Sequence, residues 1–263
     1  MATIAFIGAG KIAQAFIKGL AETKWNLVAY DPSAEALKLA EQLGATTEED
    51  SISAIKKAET VIVCTKPEKV TAVLNELSCD LEEKLVISVA AGVPTQKILA
   101  SLDKKIALVR AMPNTPAFIG RAMTGIFATE EVTFNQRQTA QQILASLGKT
   151  RWLEVEDDLD IVTALSGSGP AYFFLLMEQM IEAGVTEGLS PEIARELVVE
   201  TALGSAKMAS MTIDNPKILR ENVTSPGGTT AAALDIFYER GFVKTVAEAI
   251  KSAKLRSKEI SED

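Results

Sequence analysis

A glycine-rich turn between an apolar strand and an amphipathic helix constrains the fold of this chain more than any other feature. Residues 2–7 form a short, mostly apolar run, and Gly8 and Gly10 follow in the pattern G-x-G-x-x-A. Asp31 comes 21 residues after Gly10, at the end of a second apolar run. In this context Gly8 allows a tight turn, Gly10 admits a pyrophosphate close to the backbone, and Asp31 can accept hydrogen bonds from a ribose. The pattern predicts a Rossmann-type unit that binds a dinucleotide; the alternative is an ordinary glycine-rich turn.

Strand and helix patterns alternate along the first part of the chain. The apolar runs of strand length lie near residues 3–7, 26–30, 60–64, 85–89, 106–110, 122–128 and 150–155. From about residue 157 onward the strand pattern disappears and the segments read as helices. This indicates an α/β fold, with a doubly wound, mainly parallel sheet in residues 1–156 and an all-helical domain in residues 157–263.

Composition excludes several classes of function. The chain of 263 residues carries a net charge of −8 without a basic run, which argues against nucleic acid or an anionic membrane as a partner. It contains no histidine, so a histidine-based nucleophile pair, metal site or general base is excluded. The spacing of Cys64 and Cys79 fits neither a CxxC pair nor a zinc site, and no metal site is expected. No signal segment or membrane-spanning run is recognised, so a cytoplasmic location is predicted.

One predicted helix in the second half is apolar around most of its circumference. It covers residues 171–183 and carries few polar side chains. A helix of this kind is buried on most sides, and a helical domain of about 100 residues offers little interior to bury it. The pattern therefore predicts self-association through the helical domain, as a dimer or a multiple of dimers. The alternative is a core helix within one chain.

Four segments rich in Gly, Pro, Ser, Thr and Asn interrupt the regular patterns, as binding loops often do. They are residues 65–67, 110–116, 165–170 and 222–230. Thr65, Lys66 and Pro67 follow a strand, at the edge of the sheet where a cofactor is expected. In the second segment two prolines stiffen the turn around Asn114. The third segment opens the apolar helix and offers backbone N–H groups.

The last of these segments has the features of an anion site. Gly227 and Gly228 have no side chains and leave the backbone accessible beside Thr229 and Thr230. One of these threonines is expected to cap the helix that follows. N–H groups, hydroxyls and the helix dipole together would hold a substrate carboxylate without an arginine. A capped helix start without a ligand is the alternative.

These motifs together resemble the pyrroline-5-carboxylate reductase family. The resemblance is carried, in order, by the G-x-G-x-x-A turn, Thr-Lys-Pro at 65–67, Ala-Met-Pro-Asn-Thr-Pro at 111–116, Ser-Gly-Ser-Gly-Pro-Ala at 166–171 and Val-Thr-Ser-Pro-Gly-Gly-Thr-Thr at 223–230. It runs essentially the full length of the chain. It implies a Rossmann domain with a helical dimerisation domain, and the NAD(P)H-dependent reduction of 1-pyrroline-5-carboxylate to L-proline, the last step of proline biosynthesis.

The resemblance and the motifs together define the expected site residues. The expected cofactor-binding residues are Gly8, Gly10, Lys11, Ile12, Asp31, Thr65, Lys66, Pro67, Ala90 and Asn114. The expected substrate-binding residues are Asn222, Val223, Ser225, Gly227, Gly228, Thr229 and Thr230. Thr230 is also the expected catalytic residue, with its hydroxyl bonded to the ring nitrogen.

The choice of cofactor depends on Asp31. A carboxylate at this position would repel the 2′-phosphate of NADPH, and no Arg or Lys lies between Asp31 and Lys38 to offset it. Either NADPH or NADH is expected to serve, with a preference towards NADH. Two other functions stay open at this point: a β-hydroxyacid-dehydrogenase-like oxidoreductase, with Lys207 as its base, and a non-catalytic NAD(P)-binding protein.

Overall fold

The computed structural model describes residues 1–102 and 104–262, apart from the side chains of Cys79 and Glu262. The chain divides into two compact units, one made of Met1–Ser168 with Ala253–Asp263 and the other of Gly169–Ser252. This division falls later than the boundary at residue 156 that the sequence suggests. It also assigns the end of the chain to the first unit.

A single sheet organises the first unit. Its described strands are β1 (Thr3–Ile7), β2 (Asn26–Tyr30), β3 (Thr46–Thr47), β4 (Thr60–Val63), β5 (Leu85–Ser88), β6 (Ala107–Met112), β7 (Ala122–Ala128) and β8 (Gly148–Trp152). Their order across the sheet is β3-β2-β1-β4-β5-β6-β7-β8. Neighbouring strands are parallel except β6 and β7. The order reverses between β1 and β4, which is the doubly wound topology that the alternating pattern predicts.

Helices cover both faces of this sheet. In the first unit they are α1 (Lys11–Leu20), α2 (Ala34–Gln42), α3 (Ser51–Lys56), α4 (Val70–Glu76), α5 (Thr95–Ala100), α6 (Phe134–Ala145) and α7 (Asp158–Val162). Phe6 of β1 and Phe16 of α1 belong to one core, and Ile7 of β1 and Leu74 of α4 belong to the other. Consecutive residues of β1 enter opposite cores because strand side chains alternate between the faces. Burial on both faces explains the nearly continuous apolar runs of the central strands.

The second unit is helical, as predicted. It contains α8 (Gly169–Thr186), α9 (Pro191–Met211), α10 (Pro216–Asn222), α11 (Thr229–Glu239) and the larger part of α12 (Phe242–Glu262). Ser190 caps α9 by accepting a hydrogen bond from the N–H of Ile193, and Pro191 occupies the first turn. This start agrees with the expectation from the sequence, because a proline in the first turn loses no intrahelical hydrogen bond.

Helix α8 leaves most of its large apolar side chains exposed in the single chain. Phe173 is 65% exposed and Phe174 is 62% exposed. The helical stretch Asp158–Thr186 contains an 18-residue segment with a mean hydropathy of 1.3 and is long and apolar enough to cross a membrane by length and composition alone. The length of this stretch arises because α7 continues into α8 through a π-helical turn, and the absence of a membrane-spanning run stays a prediction. A single helix of this kind is weak evidence for a membrane span.

Two strands differ from the sequence-based prediction. Strand β3 has only two residues, too few to produce a recognisable pattern. Strand β8 begins at Gly148 and ends at Trp152, whereas the apolar run predicts residues 150–155. The prediction lies too late because β8 is a half-exposed edge strand, and the apolar residues Leu153 and Val155 belong to the segment after it.

Candidate active site

Five of the expected cofactor-binding residues lie at one edge of the sheet. Parallel strands end at the same edge, so the residues that follow β1, β2, β4, β5 and β6 are brought together. They are Gly8, Asp31, Thr65, Ala90 and Asn114. Because ligands of doubly wound folds bind beyond the carboxyl ends of the strands near the reversal of strand order, this edge is the candidate cofactor site.

The glycine-rich turn leaves open space beside its backbone on one side only. Gly8 has φ +98°, and a Cβ placed there would lie 2.8 Å from the backbone carbonyl carbon and oxygen of Cys64. At Gly10, the N-cap of α1, a Cβ would meet no atom within 4 Å. Ala13 is fully buried against the sheet. The turn is therefore tight on its inner side and open on its outer side, where Lys11 and Ile12 begin the helix.

The Asp31 carboxylate is hydrogen-bonded to this turn. One of its oxygens accepts a hydrogen bond of 2.8 Å from the N–H of Ala9, and the other accepts one of 2.8 Å from the N–H of Ser33. Ser33 in turn caps α2. The carboxylate is thus fixed between the glycine-rich turn and the start of α2, where a Rossmann acid meets a ribose.

The segment after β4 contains a polar atom without a partner. The Thr65 hydroxyl oxygen is buried and forms no hydrogen bond within the described part of the chain. Leaving such a group unpaired costs about 1–3 kcal/mol, so a ligand that pairs with it is favoured. Lys66 beside it is exposed, and Pro67 begins a short 3-10 turn. Burial raises the pKa of the neighbouring Cys64 thiol far above its ordinary value, so this thiol stays protonated and unreactive.

These features fit a dinucleotide. The open outer side of Gly10, the fixed carboxylate of Asp31 and the unpaired hydroxyl of Thr65 all lie at the same edge of the sheet. Ala90 adds a small, buried residue after β5, and its N–H lies 3.5 Å from the Ser88 hydroxyl.

Asn114 lies at the edge as expected, but its side chain is occupied by the protein. Its amide donates to the carbonyl oxygen of Ser166 at 3.0 Å and to the Ser166 hydroxyl at 3.1 Å. Its amide oxygen accepts a hydrogen bond of 3.0 Å from the N–H of Met123. Both donors of the amide are therefore used, which leaves its backbone as the more accessible contact for a cofactor.

The expected substrate-binding segment lies in the second unit and forms a tight turn before α11. The N–H of Gly228 donates to the carbonyl oxygen of Ser225 at 3.0 Å. Pro226 and Gly227, with φ +71° at Gly227, occupy the middle of this turn, as in a type II turn. Asn222 ends α10, and Val223 beside it is exposed.

The start of α11 offers backbone donors. The N–H of Ala232 donates to the carbonyl oxygen of Gly228, which opens the hydrogen-bond ladder of the helix, so the N–H groups of residues 229–231 have no acceptor within it. The N-cap is Gly228 and no side chain caps the helix. The expectation that Thr229 or Thr230 caps α11 is therefore wrong. Both threonines lie inside the first turn, which leaves their hydroxyls available for a ligand.

Sequence reasoning missed a buried ionic contact next to the sheet edge. Glu156 accepts hydrogen bonds from the Arg110 guanidinium at 2.9 Å and from the Thr95 backbone N–H at 2.7 Å. Arg110 falls within one of the motifs, but its partner lies 46 residues away in an acidic stretch without a pattern of its own. No local signal in the sequence could have paired them.

Comparisons with known proteins agree with this arrangement. The family model described as pyrroline-5-carboxylate reductase dimerisation matches residues 156–260. The model described as NADP oxidoreductase, coenzyme F420-dependent, matches residues 3–92. The pyrroline-5-carboxylate reductase of Haemophilus influenzae is 41% identical to this chain, over 98% of this chain and 97% of its own length.

Solved structures are similar over the whole length as well. A pyrroline-5-carboxylate reductase from Coxiella burnetii has a TM-score of 0.92 and 38% identity, covering 98% of both chains. The pyrroline carboxylate reductase of Plasmodium falciparum, solved with NADP bound, has a TM-score of 0.89 and 29% identity, covering 99% of this chain and 98% of its own. The chain described here belongs to the pyrroline-5-carboxylate reductase family.

Proposed function

We propose that this chain reduces 1-pyrroline-5-carboxylate to L-proline with NADPH or NADH. The observation that carries the proposal is the intact turn Ser225–Gly228 at the start of α11, in a chain that matches reductases of this family from end to end. The nicotinamide cofactor, when bound, supplies the hydride. The protein itself positions the substrate and stabilises the charges on the substrate.

The substrate carboxylate would be held by backbone donors. The N–H groups of residues 229–231 have no intrahelical acceptor, and the positive end of the α11 dipole favours an anion there. Ser225 adds a hydroxyl beside the turn. In this proposal Asn222, Val223, Gly227 and Gly228 shape the segment.

Thr230 would hold the ring nitrogen. The substrate is a cyclic imine, and protonation of its nitrogen makes C5 a strong hydride acceptor. The C5=N bond becomes a single bond as C5 gains the hydride, and the nitrogen retains the proton. A hydroxyl at this position orients the ring and can relay that proton. The absence of histidine from the chain agrees with this chemistry, because no strong base has to act.

The cofactor would bind on the first unit. In this proposal Gly8, Gly10, Lys11 and Ile12 surround the pyrophosphate, and Thr65, Lys66, Pro67, Ala90 and Asn114 line the same edge of the sheet. Asp31 faces the adenosine ribose, and its negative charge favours NADH over NADPH. We therefore expect NADH to be used at least as well as NADPH, although the Plasmodium falciparum relative was solved with NADP.

Self-association would proceed through the helical residues 157–263. A dimerisation model matches residues 156–260, and α8 exposes large apolar side chains in the single chain. A contiguous apolar surface of this kind marks an interaction site. We propose a homodimer, or a multiple of dimers, that acts in the cytoplasm without nucleic acid or membrane partners.

The test follows the oxidation of NADH and NADPH, side by side, with pyrroline-5-carboxylate. We expect substrate-dependent oxidation and formation of L-proline in a 1:1 ratio. A parallel assay with 3-hydroxy acids and NAD⁺ or NADP⁺ tests the β-hydroxyacid-dehydrogenase alternative. If both cofactors bind but neither is oxidised with the cyclic imine nor reduced with the 3-hydroxy acids, the non-catalytic alternative is favoured.

A further inference from the structure

The third sequence motif, around Ser166, is tied to the sheet edge through Asn114. Residues 163–167 form a π-helical turn between α7 and α8, and the N–H of Ser168 donates to the carbonyl oxygen of Thr163 at 2.8 Å. Turns of this kind insert one extra residue into a helix and recur at functional sites. The feature that fixes this one is the side chain of Asn114, which contacts Ser166 by two hydrogen bonds.

Both side chains of the contact form several hydrogen bonds. Asn114 gives both of its N–H groups to Ser166 and accepts from the backbone N–H of Met123 at 3.0 Å. The Ser166 hydroxyl donates in turn to the carbonyl oxygen of Met123 at 3.2 Å. Three segments, the loop after β6, the start of β7 and the π turn, are therefore joined by the side chains of only two residues.

The π turn also lies directly against the end of β6. A Cβ at Gly167 would come within 2.6 Å of the methyl carbon of Met112, the last residue of that strand. The turn therefore lies at the same edge as the candidate cofactor site. Ser166 and Gly167 of the turn, with Ser168 after it, form a Ser-Gly-Ser sequence whose role the proposed function leaves open.

We propose that Asn114 is a positioning residue, which holds the π turn of residues 163–167 in place at the sheet edge, rather than a side-chain ligand of the cofactor. This inference rests on the proposed function, since the positioned turn serves the reduction. Three of the four hydrogen-bond positions of its amide are taken by the protein, including both donors, so a cofactor acceptor could bind this side chain only by breaking an existing hydrogen bond. Its effect on the reaction is exerted through Ser166.

The test compares Asn114→Ala, Asn114→Asp, Ser166→Ala and the double variant Asn114→Ala/Ser166→Ala. The Asp variant keeps the shape and the acceptor for Met123 but removes both donors to Ser166. For each variant kcat, KM for pyrroline-5-carboxylate and the Kd of the cofactor are measured. We expect kcat/KM for the imine to fall about 10- to 100-fold in both Asn114 variants, as small misplacements do, while the cofactor Kd changes less than about threefold. Asn135→Ala, on the exposed face of α6, is the matched control.

Two outcomes distinguish positioning from cofactor binding. If Asn114 acts through Ser166, the double variant loses no more activity than Asn114→Ala alone; additive losses would overturn the inference. A rise in the cofactor Kd that matches the fall in kcat/KM would also overturn it, since it would show a ligand.

Hydrogen exchange provides a readout that needs no activity. The Ser168 amide should exchange faster in Asn114→Ala than in wild type, because the π turn that protects it is released. Unchanged protection contradicts the positioning role. If the wild-type chain fails to reduce pyrroline-5-carboxylate, the proposed function fails, but the exchange and cofactor-binding results still decide the role of Asn114.

Discussion

The Arg110 guanidinium lies 2.9 Å from the Glu156 carboxylate, with side-chain exposures of 7% and 19%. The same carboxylate accepts hydrogen bonds from the backbone N–H and the hydroxyl of Thr95, at 2.7 and 2.5 Å. One carboxylate therefore joins the middle of β6 to the start of α5. Removing one partner of a buried pair leaves an uncompensated charge, which is costly.

We therefore predict that Glu156→Gln lowers the free energy of unfolding by roughly 2–4 kcal/mol. Glu82→Gln is the control, because its 2.9 Å pair with Lys104 is exposed and should change stability by no more than about 0.5 kcal/mol. Urea unfolding of both variants measures the difference. Equal effects would show that burial of the Arg110 pair adds nothing to stability.

Thr124→Val should stabilise the protein. The Thr124 hydroxyl is buried in the middle of β7 and has no hydrogen-bond partner within the described part of the chain. Replacing it with a methyl group of the same shape removes the cost of burying an unpaired hydroxyl, for a gain of about 1 kcal/mol. The same substitution at Thr133, whose hydroxyl caps α6, should instead destabilise by about 1 kcal/mol. Thermal and urea unfolding measure whether the two substitutions change the free energy of unfolding in opposite directions. A loss of stability in Thr124→Val would contradict the prediction.

Thr230→Ala should lower turnover with pyrroline-5-carboxylate and leave cofactor affinity nearly unchanged. Thr230 lies inside the first turn of α11, where its hydroxyl does not cap the helix. Losing one oriented hydrogen bond should cost on the order of 1–3 kcal/mol in the transition state. Steady-state kinetics with both substrates varied test this, with Thr23→Ala, in the exposed turn after α1, as the control. Wild-type turnover in Thr230→Ala would rule out the proposed role.

Asp31→Ser should shift the ratio of kcat/KM values towards NADPH. The substitution removes a carboxylate that would repel a 2′-phosphate, and it frees the N–H groups of Ala9 and Ser33 that now donate to it. At a partly solvated site the change should be worth roughly 1–2 kcal/mol, or about 5- to 30-fold in the ratio. Parallel kinetics with both cofactors measure it. A wild-type preference for NADPH of tenfold or more would show that Asp31 is not a ribose ligand.

Phe173→Glu should weaken self-association. Phe173 and Phe174 are exposed on α8 in the single chain, and a charge placed in an apolar interface loses its hydration without a partner. Light scattering at low micromolar concentration should show a dimer or larger species for wild type and monomer for the variant. A stable, active wild-type monomer would contradict the proposed self-association. Phe134→Glu, on the exposed start of α6, is the control for a charge on an apolar surface position.

The sequence by itself determined the architecture of the cofactor edge. Periodicity locates the central strands to within a few residues, and the residues that follow parallel strands must meet at one edge. The predicted parallel direction of the strands therefore suffices to assign Gly8, Asp31 and Thr65 to the same edge, because each follows a strand. The start of α9 at Ser190 and Pro191 is equally predictable, since capping preferences act over three or four residues.

Only the tertiary structure decided which side chains pair with residues far away in the sequence. Asn114 and Ser166 are 52 residues apart, and Asp160 and Ser257, which share a buried hydrogen bond of 2.7 Å, are 97 apart. Local patterns report periodicity and chain direction, but they carry no information about which loop faces which. The same limit explains why Thr229 or Thr230 was wrongly predicted to cap α11. The tight turn from Ser225 to Gly228 makes Gly228 the N-cap, so both threonines lie inside the helix.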